Sequence, residues 1–167
     1  WMGEAEVTLE QYRRFDPEYA NGWYDMHYKD QVRPGYDMDA DPRFPVIRVP
    51  WARAMEFCRW LSGKTGKKVT LPTQWEYAAR GGEDTDFFFG ERDADFSAYA
   101  NLGDVTLKEL AVSGVDPRPI KNPNRFWDFV PRDEKYNDGK LHLAPVKSYR
   151  PNAYGLYDMI GNAAEWT

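Results

Sequence analysis

The sequence predicts one α+β domain that has few helices, short strands and a large share of irregular loop. Its 167 residues include 13 Gly and 12 Pro. These residue types favour turns, so we expect the chain to reverse often. Aromatic residues make up 16% of the chain, and we expect their side chains to fill the gaps between loops. Only three stretches carry the apolar spacing and end signals of helices.

Length, charge and cysteine content exclude several classes of protein. A chain of this length with 42% hydrophobic residues can bury a core, and we assign residues 1–167 to a single domain. The net charge is -5 and no cluster of Lys and Arg occurs, which argues against nucleic-acid binding. No run of about twenty apolar residues is present, so the sequence predicts no membrane span. Cys58 is the single cysteine and can form neither an internal disulfide nor a zinc site.

The first half of the chain shows two helix signals with a short strand between them. Thr8 and Gln11 form a capping box that predicts a helix, with Leu9 and Tyr12 facing the core. Residues 37–41 are rich in Asp but lack the turn Gly and final Glu of a calcium-binding loop, so we interpret them as a solvated acidic loop. Residues 45–49 are predicted to form a strand.

The second helix should begin with Pro50 at its first position and end at Gly63 or Gly66. At helical spacing, six side chains fall on the face predicted to be buried: Trp51, Ala54, Met55, Cys58, Leu61 and Ser62. A buried Cys without a charged neighbour is normally inert, so we assign Cys58 to packing.

A third helix is predicted between two short strands. Residues 68–72 have the character of a strand, and Thr73 with Glu76 forms a second capping box. Gly81 and Gly82 should end this helix. Residues 87–90 are predicted to form an aromatic strand. Residues 91–143 are mostly irregular, and a long loop of this kind in a compact domain is usually functional or ordered by a ligand.

The closing segment, residues 152–166, combines aromatics, Gly and oxygen-bearing side chains. Asp158 and Glu165 are hard oxygen donors, and Gly161 and Asn162 between them tolerate unusual backbone angles. A loop of this kind can offer side-chain and main-chain oxygens to a hard cation such as calcium. The alternative is a structural turn between buried aromatic strands that Asp158 caps.

Several motifs follow one another along the chain in an order typical of one family. They are Glu6-Val7-Thr8 with Tyr12; Pro45-Val46 with Trp51, Ala54, Phe57-Cys58 and Trp60-Leu61; Leu71-Pro72-Thr73 with Trp75 to Gly82; Ala100-Asn101; Ala144-Pro145-Val146; and Pro151-Asn152 to Trp166. In these motifs the chain resembles the formylglycine-generating enzyme family, also called the sulfatase-modifying-factor domain, over nearly its whole length. The resemblance implies a fold distantly similar to C-type lectins, with short twisted antiparallel strands.

The resemblance also implies two structural calcium ions. Carried onto this sequence, the ligands of the first ion would be Asp158, Glu165 and main-chain oxygens near Gly161 and Ala163. We call these residues the first set. The ligands of the second ion would come from a second set, which consists of Asn101, Leu102, Asp138 and the carbonyl of Lys140. The family usually has Asn where Asp158 stands, and either side chain can supply an oxygen. A cation at the second set would join the two ends of the long insertion.

The family's enzymes oxidise a cysteine of a sulfatase peptide to formylglycine, using oxygen and a copper ion that two cysteines hold. Those cysteines follow the closing motif in the family, so we expect this chain to be truncated on its C-terminal side. A copper site is expected only if the missing part carries the cysteine pair. Cys58 matches a structural helix position in the family, and the sequence supplies no catalytic residue of its own.

Three features depart from the family pattern. Only Gln74 separates Thr73 from Trp75, where the family has three residues, and whether this gap is real stays open. Ala164 stands where proven oxidases often carry a Trp that lines the active site, which weakens the catalytic interpretation. The insertion at residues 103–137 is longer than in the simplest members, and we expect it to reshape or cover a peptide groove.

Three functions are compatible with this resemblance. The first is the copper-dependent oxidase, with a sulfatase-type peptide as its partner. The second is a non-catalytic, calcium-stabilised binding or scaffold module of a cell-envelope or secreted assembly, because fold does not fix function. The third is half of an iron-dependent sulfoxide synthase, which would need a separate His-rich helical domain that nothing here resembles. The resemblance also implies a secreted, periplasmic or cell-envelope location.

Overall fold

A computed structural model describes residues 2–24, 36–107 and 132–167 of the chain. The elements in chain order are α1 (Leu9–Arg13), β1 (Trp23–Tyr24), β2 (Tyr36–Asp37), α2 (Trp51–Thr65), α3 (Trp75–Arg80) and a single 3₁₀ turn (Val105–Leu107). Few helices and a small antiparallel sheet confirm the predicted α+β class. The likeness to C-type lectins stays a prediction. No helix in the described ranges combines the length and apolar character that crossing a membrane requires.

Helix α1 begins as the sequence predicted. The Thr8 hydroxyl accepts a hydrogen bond from the Gln11 amide at 3.1 Å, and the Gln11 side chain accepts one from the Thr8 amide at 3.1 Å. The strand predicted at residues 45–49 is wrong. Pro45 forms an isolated bridge to Thr8, and the Val46 amide donates to the Val7 carbonyl at 2.9 Å, but pairing stops there because Arg48 leaves the extended conformation with φ 60°.

Helix α2 ends at the second of the two predicted glycines and begins one residue later than predicted, and its buried side differs in part. Pro50 is the residue just before the helix, and Gly66 ends it with a left-handed backbone at φ 68°. The buried residues are Phe57 and Cys58, whereas Trp51 is 52% exposed and so does not face the core as predicted. Trp51 lies in the first turn of α2. The side chains that contact the aromatic residues of α1 and of the turn after it come later in the helix.

Helix α3 confirms its predicted end but not its predicted beginning. Gly81 ends the helix with φ 62°, yet Gln74 precedes the first helical residue and no side chain caps it. The predicted cap at Thr73 is therefore wrong, because the single intervening residue leaves Thr73 one position too early.

The strands predicted at residues 68–72 and 87–90 are also wrong. The Val69 amide donates to the Ser62 hydroxyl at 2.9 Å, so this segment bonds back onto α2 instead of pairing with another strand. Phe87 and Gly90 pair with each other through bonds of 2.9 and 3.0 Å, which closes a four-residue turn.

The two-stranded sheet and the acidic loop that follows it are folded around one carboxylate. Strands β1 and β2 pair antiparallel, with Trp23 opposite Asp37. Asp39 accepts hydrogen bonds from the Arg13 side chain at 3.0 Å and from the amides of Asn21 and Gly22 at 2.9 and 2.8 Å. The interpretation of residues 37–41 as a solvated loop is therefore wrong at Asp39, because its carboxylate connects α1 to the residues just before β1.

Two clusters of side chains stand out in the interior of the described residues. The first, which we call the aromatic block, consists of Tyr12, Phe15, Tyr19, Phe57 and Trp60, with ring centroids 4.8–5.8 Å apart. The second cluster lies under the closing segment, where Ala78, Ala79 and Met159 are buried against Trp75 and Leu156. Helix α3 and the closing segment therefore form one packed unit.

Candidate metal sites

The closing loop, residues 158–165, has an unusual backbone. Asp158, Gly161 and Asn162 all have positive φ angles, of 55°, 77° and 60°. Gly161 pairs with Asn101 in an isolated parallel bridge, and a Cβ atom at Gly161 would lie 2.0 Å from the Asn101 carbonyl oxygen. Only glycine fits there, because any side chain would collide with backbone as well as strain φ. The loop is thus held against the segment that begins the second set.

Asp158 is the buried anchor of the first set. It is only 4% exposed, and its Oδ2 atom accepts a hydrogen bond from the Lys147 amide at 2.6 Å. Its Oδ1 atom is buried and has no hydrogen-bond partner. Burial raises the pKa of the Asp158 carboxyl, against the opposing effects of the Lys147 amide and charge. A buried carboxylate oxygen without a partner is costly, and a cation would remove that cost.

The other members of the first set line an open cleft of about 760 Å³. Gly161, Ala163 and Glu165 all contribute to its wall, while Asp158 lies outside the lining. The Trp75 indole donates a hydrogen bond to the Glu165 carboxylate. Surrounding protein raises the pKa of Glu165, and the negative charge of Asp158 raises it further, so the two carboxylates interact. Three members of the first set therefore share the cleft wall, Asp158 is close enough to Glu165 to influence its charge, and Glu165 is turned toward α3.

Glu6 is a member of this site that sequence reasoning missed. Its carboxylate is buried and accepts hydrogen bonds from the Asn162 side-chain amide at 2.7 Å and the Ala163 main-chain amide at 2.9 Å. Burial raises the pKa of Glu6 to about 8, with further contributions from the charges of Asp158 and Glu165, although its hydrogen bonds act in the opposite direction. Glu6 belongs to the first of the family motifs, but the sequence does not show its role, since its partners lie at the far end of the chain.

The second set converges on Asp138. Its carboxylate accepts hydrogen bonds from the Leu102 amide at 3.1 Å and the Lys140 amide at 2.7 Å. The Lys140 carbonyl oxygen lies 3.1 Å from the Thr106 hydroxyl oxygen, whose single proton is directed to the carboxylate described in the next paragraph, so the carbonyl keeps its lone pairs for a cation. These hydrogen bonds join the two ends of the long insertion, at the place where the resemblance implies a cation. The middle of that insertion, residues 108–131, lies outside the described residues.

Asp104 is a second residue that the sequence did not single out. It is fully buried, and its carboxylate accepts hydrogen bonds from the Thr106 hydroxyl at 2.6 Å and the Asp138 amide at 2.5 Å. Burial raises the pKa of Asp138 to about 6, and the nearby charge of Asp104 adds to this effect. Negative charge is thus concentrated beside the second set, which favours a cation there.

The chemistry of both sets fits calcium and does not fit copper. Among the described residues, no group of three or more His, Cys, Asp and Glu side chains is arranged to hold a metal ion. Each set instead combines carboxylates with amide or carbonyl oxygens, which is the mixture that calcium takes. Cys58 is buried on α2, and burial raises the pKa of its thiol, which disfavours the thiolate that copper needs.

Comparison with known proteins identifies the family. A family model for the sulfatase-modifying factor enzyme 1-like domain matches residues 1–167. The chain belongs to this family. Its fold resembles that of Treponema denticola variable protein 1, with a TM-score of 0.62 and 22% identity over 98% of this chain and 60% of that one.

Relatives of this sulfatase-modifying-factor domain include proteins with opposite descriptions. It is 36% identical to the formylglycine-generating enzyme of Streptomyces coelicolor over 130 residues, which are 78% of this chain and 33% of that protein. It is 28% identical to the inactive C-alpha-formylglycine-generating enzyme 2 of Bos taurus over 84% of this chain and 38% of that protein. The chain thus spans about a third of the length of these relatives.

Proposed function

We propose that this domain is part of a formylglycine-generating enzyme that oxidises a cysteine in a sulfatase-type peptide. Membership of the family supports this function, as does similarity to a bacterial relative with that description. The observation that carries the proposal is the cleft of about 760 Å³ beside the closing loop. This is the place where the family resemblance implies the active site.

The walls of the cleft suit an extended peptide. Apolar side chains line it at Leu102, Leu107, Leu141 and Leu143, while polar groups of Asn101, His142 and Asn162 stand beside them. Recognition sites for peptides commonly combine apolar pockets with polar groups that fix orientation. In this proposal the cleft binds and orients the substrate cysteine.

Calcium at the two sets is part of the proposal. The first ion would be held by Asp158, Glu165 and the carbonyls of Gly161 and Ala163, and the second by Asn101, Leu102, Asp138 and Lys140. The unpaired Oδ1 atom of Asp158 supports the first site, and the convergence on Asp138 supports the second. Bound calcium would supply positive charge that neutralises buried carboxylates, and so would fix the loops that border the cleft.

Copper would have to be held by cysteines outside these 167 residues, because Cys58 is the single cysteine and is buried in α2. When bound, copper supplies the redox chemistry of the reaction. The residues of this chain would bind the peptide, keep its cysteine in place and limit the access of water.

The experiment uses the natural full-length protein, loaded with copper, and a sulfatase-type peptide that contains the target cysteine. Mass spectrometry after aldehyde capture should show copper-dependent conversion, and a peptide with Ser in place of Cys should stay unchanged. Sequencing the protein beyond Thr167 should show two cysteines. Failure to convert the Cys peptide with copper bound would contradict the oxidase proposal.

One observation favours a second function, a non-catalytic binding module of a secreted, periplasmic or cell-envelope assembly. Ala164 is exposed at the cleft wall, where the oxidases of the family often carry Trp. Similarity to a relative described as inactive agrees with this alternative. It predicts that the full-length protein binds a partner peptide in calorimetry without oxidising it, and copper-dependent aldehyde formation would contradict it.

A further inference from the structure

The two candidate calcium sets are in direct contact through their backbones. Asn101 belongs to the second set and Gly161 to the first, and these residues form the parallel bridge described above. The Asn162 amide donates to the Asn101 carbonyl at 3.0 Å. Because the Gly161 backbone leaves no room even for a Cβ atom beside that carbonyl, neither segment can shift without moving the other.

The side chain of Asn162 is fully committed at this contact. Its Oδ1 atom accepts hydrogen bonds from the Asn101 side-chain amide at 3.0 Å and the Ala144 amide at 2.8 Å. Its Nδ2 atom donates to Glu6 at 2.7 Å and to the Ala144 carbonyl at 3.2 Å. These four bonds use the donors and acceptors of a partly buried amide and fix its orientation.

The orientation of Asn162 decides which atom Asn101 offers to a cation. The Asn101 Nδ2 atom donates to Asn162 and also to the His142 carbonyl at 2.5 Å. Both of its N–H groups therefore point away from the ion, and its side-chain oxygen is the atom left for coordination. On the other side, Glu6 accepts from Asn162 and from the Ala163 amide, next to a carbonyl assigned to the first set.

We propose that Asn162 is a positioning residue that couples the two calcium sites, so that an ion at either site strengthens binding at the other. This inference rests on the calcium sites of the proposed function. The first ion orders the shared contact, and the second ion then binds a loop that is already ordered. Linkage requires the effect to be reciprocal, and typical couplings change affinity by about fivefold or more.

The test measures calcium binding to the natural full-length protein by calorimetry and native mass spectrometry, after removal of metal with a chelator. Asp138→Ala weakens the second site and Asp158→Ala the first. Each variant should lower calcium affinity at the remaining site by about fivefold or more. In an Asn162→Gly background, which keeps the positive φ accessible, the same substitutions should change the remaining affinity less than about twofold.

Ala164→Gly is the matched control, because it adds backbone freedom to the same loop without removing a side-chain hydrogen bond, and it should keep the coupling. Glu6→Gln is the second variant if Asn162→Gly does not fold. It replaces one acceptor by a donor facing Asn162 and should reduce the coupling. Two ions that bind independently in the unmodified protein, or coupling that persists in both variants, would overturn the inference. No calcium binding in the unmodified protein would instead overturn the calcium sites themselves.

Discussion

The aromatic block and the closing loop are ordered by opposite kinds of interaction, although the N-terminal segment contributes to both. In the block, Tyr12 stacks on Phe57 with ring centroids 5.3 Å apart, and Phe15 meets both rings edge-on. Around the closing loop, the carboxylates of Glu6 and Asp158 are buried, and Glu6 accepts a hydrogen bond from the partly buried Asn162. The side chains of the N-terminal segment therefore change from polar contacts at Glu6 to apolar packing at Tyr12, within a few residues.

The two regions differ in the charge that they bury. The rings of the aromatic block pack against one another, and apolar burial requires no counter-charge, although the Tyr12 hydroxyl is buried there without a hydrogen-bond partner. The closing loop carries a buried carboxylate oxygen without a partner and the repelling carboxylates of Glu6, Asp158 and Glu165. Its order should therefore depend on a cation, whereas the order of the block should not.

The largest expected effect comes from breaking the aromatic block. Phe57→Ala should lower the free energy of unfolding by about 3–5 kcal/mol, with and without calcium, because it leaves a cavity among Tyr12, Phe15 and Trp60. Urea unfolding followed by tryptophan fluorescence measures this loss. Trp51→Ala, at an exposed position of the same helix, should change stability by no more than about 0.5 kcal/mol. If the loss of stability caused by Phe57→Ala depended on calcium, the two regions would not be stabilised independently, and the comparison would be contradicted.

Removal of calcium should disorder the closing loop. If free calcium exceeds the dissociation constant about a hundredfold, a chelator should lower the free energy of unfolding by about 2.7 kcal/mol for each site that it empties. The melting temperature should fall as well. Asp158→Ala should remove the part of this response that the first site contributes. Differential scanning calorimetry with and without the chelator measures both effects. An unchanged melting temperature in the unmodified protein would show that no structural calcium is present.

A smaller effect should follow from the polar contact that joins the closing segment to α3. The buried Asn152 side chain donates to the Ala78 carbonyl at 2.7 Å and accepts from the amides of Tyr154 and Leu156 at 3.0 and 3.1 Å. Asn152→Ala should lower the free energy of unfolding by about 1–3 kcal/mol, because it leaves these buried groups without hydrogen-bond partners. The same substitution at the exposed Asn137 serves as the control in urea unfolding. Equal losses of stability at Asn152 and Asn137 would contradict the role given to burial.

The smallest expected effect concerns the capping box of α1, which stands between the two regions. Thr8→Ala should lower the free energy of unfolding by about 1 kcal/mol, because the Gln11 amide loses its acceptor. Thr8→Ser keeps the hydroxyl and should retain most of the stability. Chemical unfolding of the two variants measures the difference, and equal stability of Thr8→Ala and the unmodified protein would contradict a role for the cap.

The sequence predicted what short-range interactions decide. Thr8 and Gln11 are three positions apart and form their box without help from the rest of the chain. The helix-ending glycines Gly66 and Gly81 follow from the left-handed backbone that only glycine adopts easily. The strands predicted at 45–49, 68–72 and 87–90 were wrong because a strand requires a partner, and local pattern does not show whether one is available.

The same distinction applies to the candidate site. The motif around Asp158 and Glu165 was recognisable from residue type and spacing, and the sequence by itself determined the family. Only the tertiary structure placed Glu6 on Asn162, 156 positions away, and Asn101 against Gly161. Contacts of this kind arise when burial brings distant polar groups together and each must then find a hydrogen-bond partner. No local pattern in the chain encodes which partner that will be.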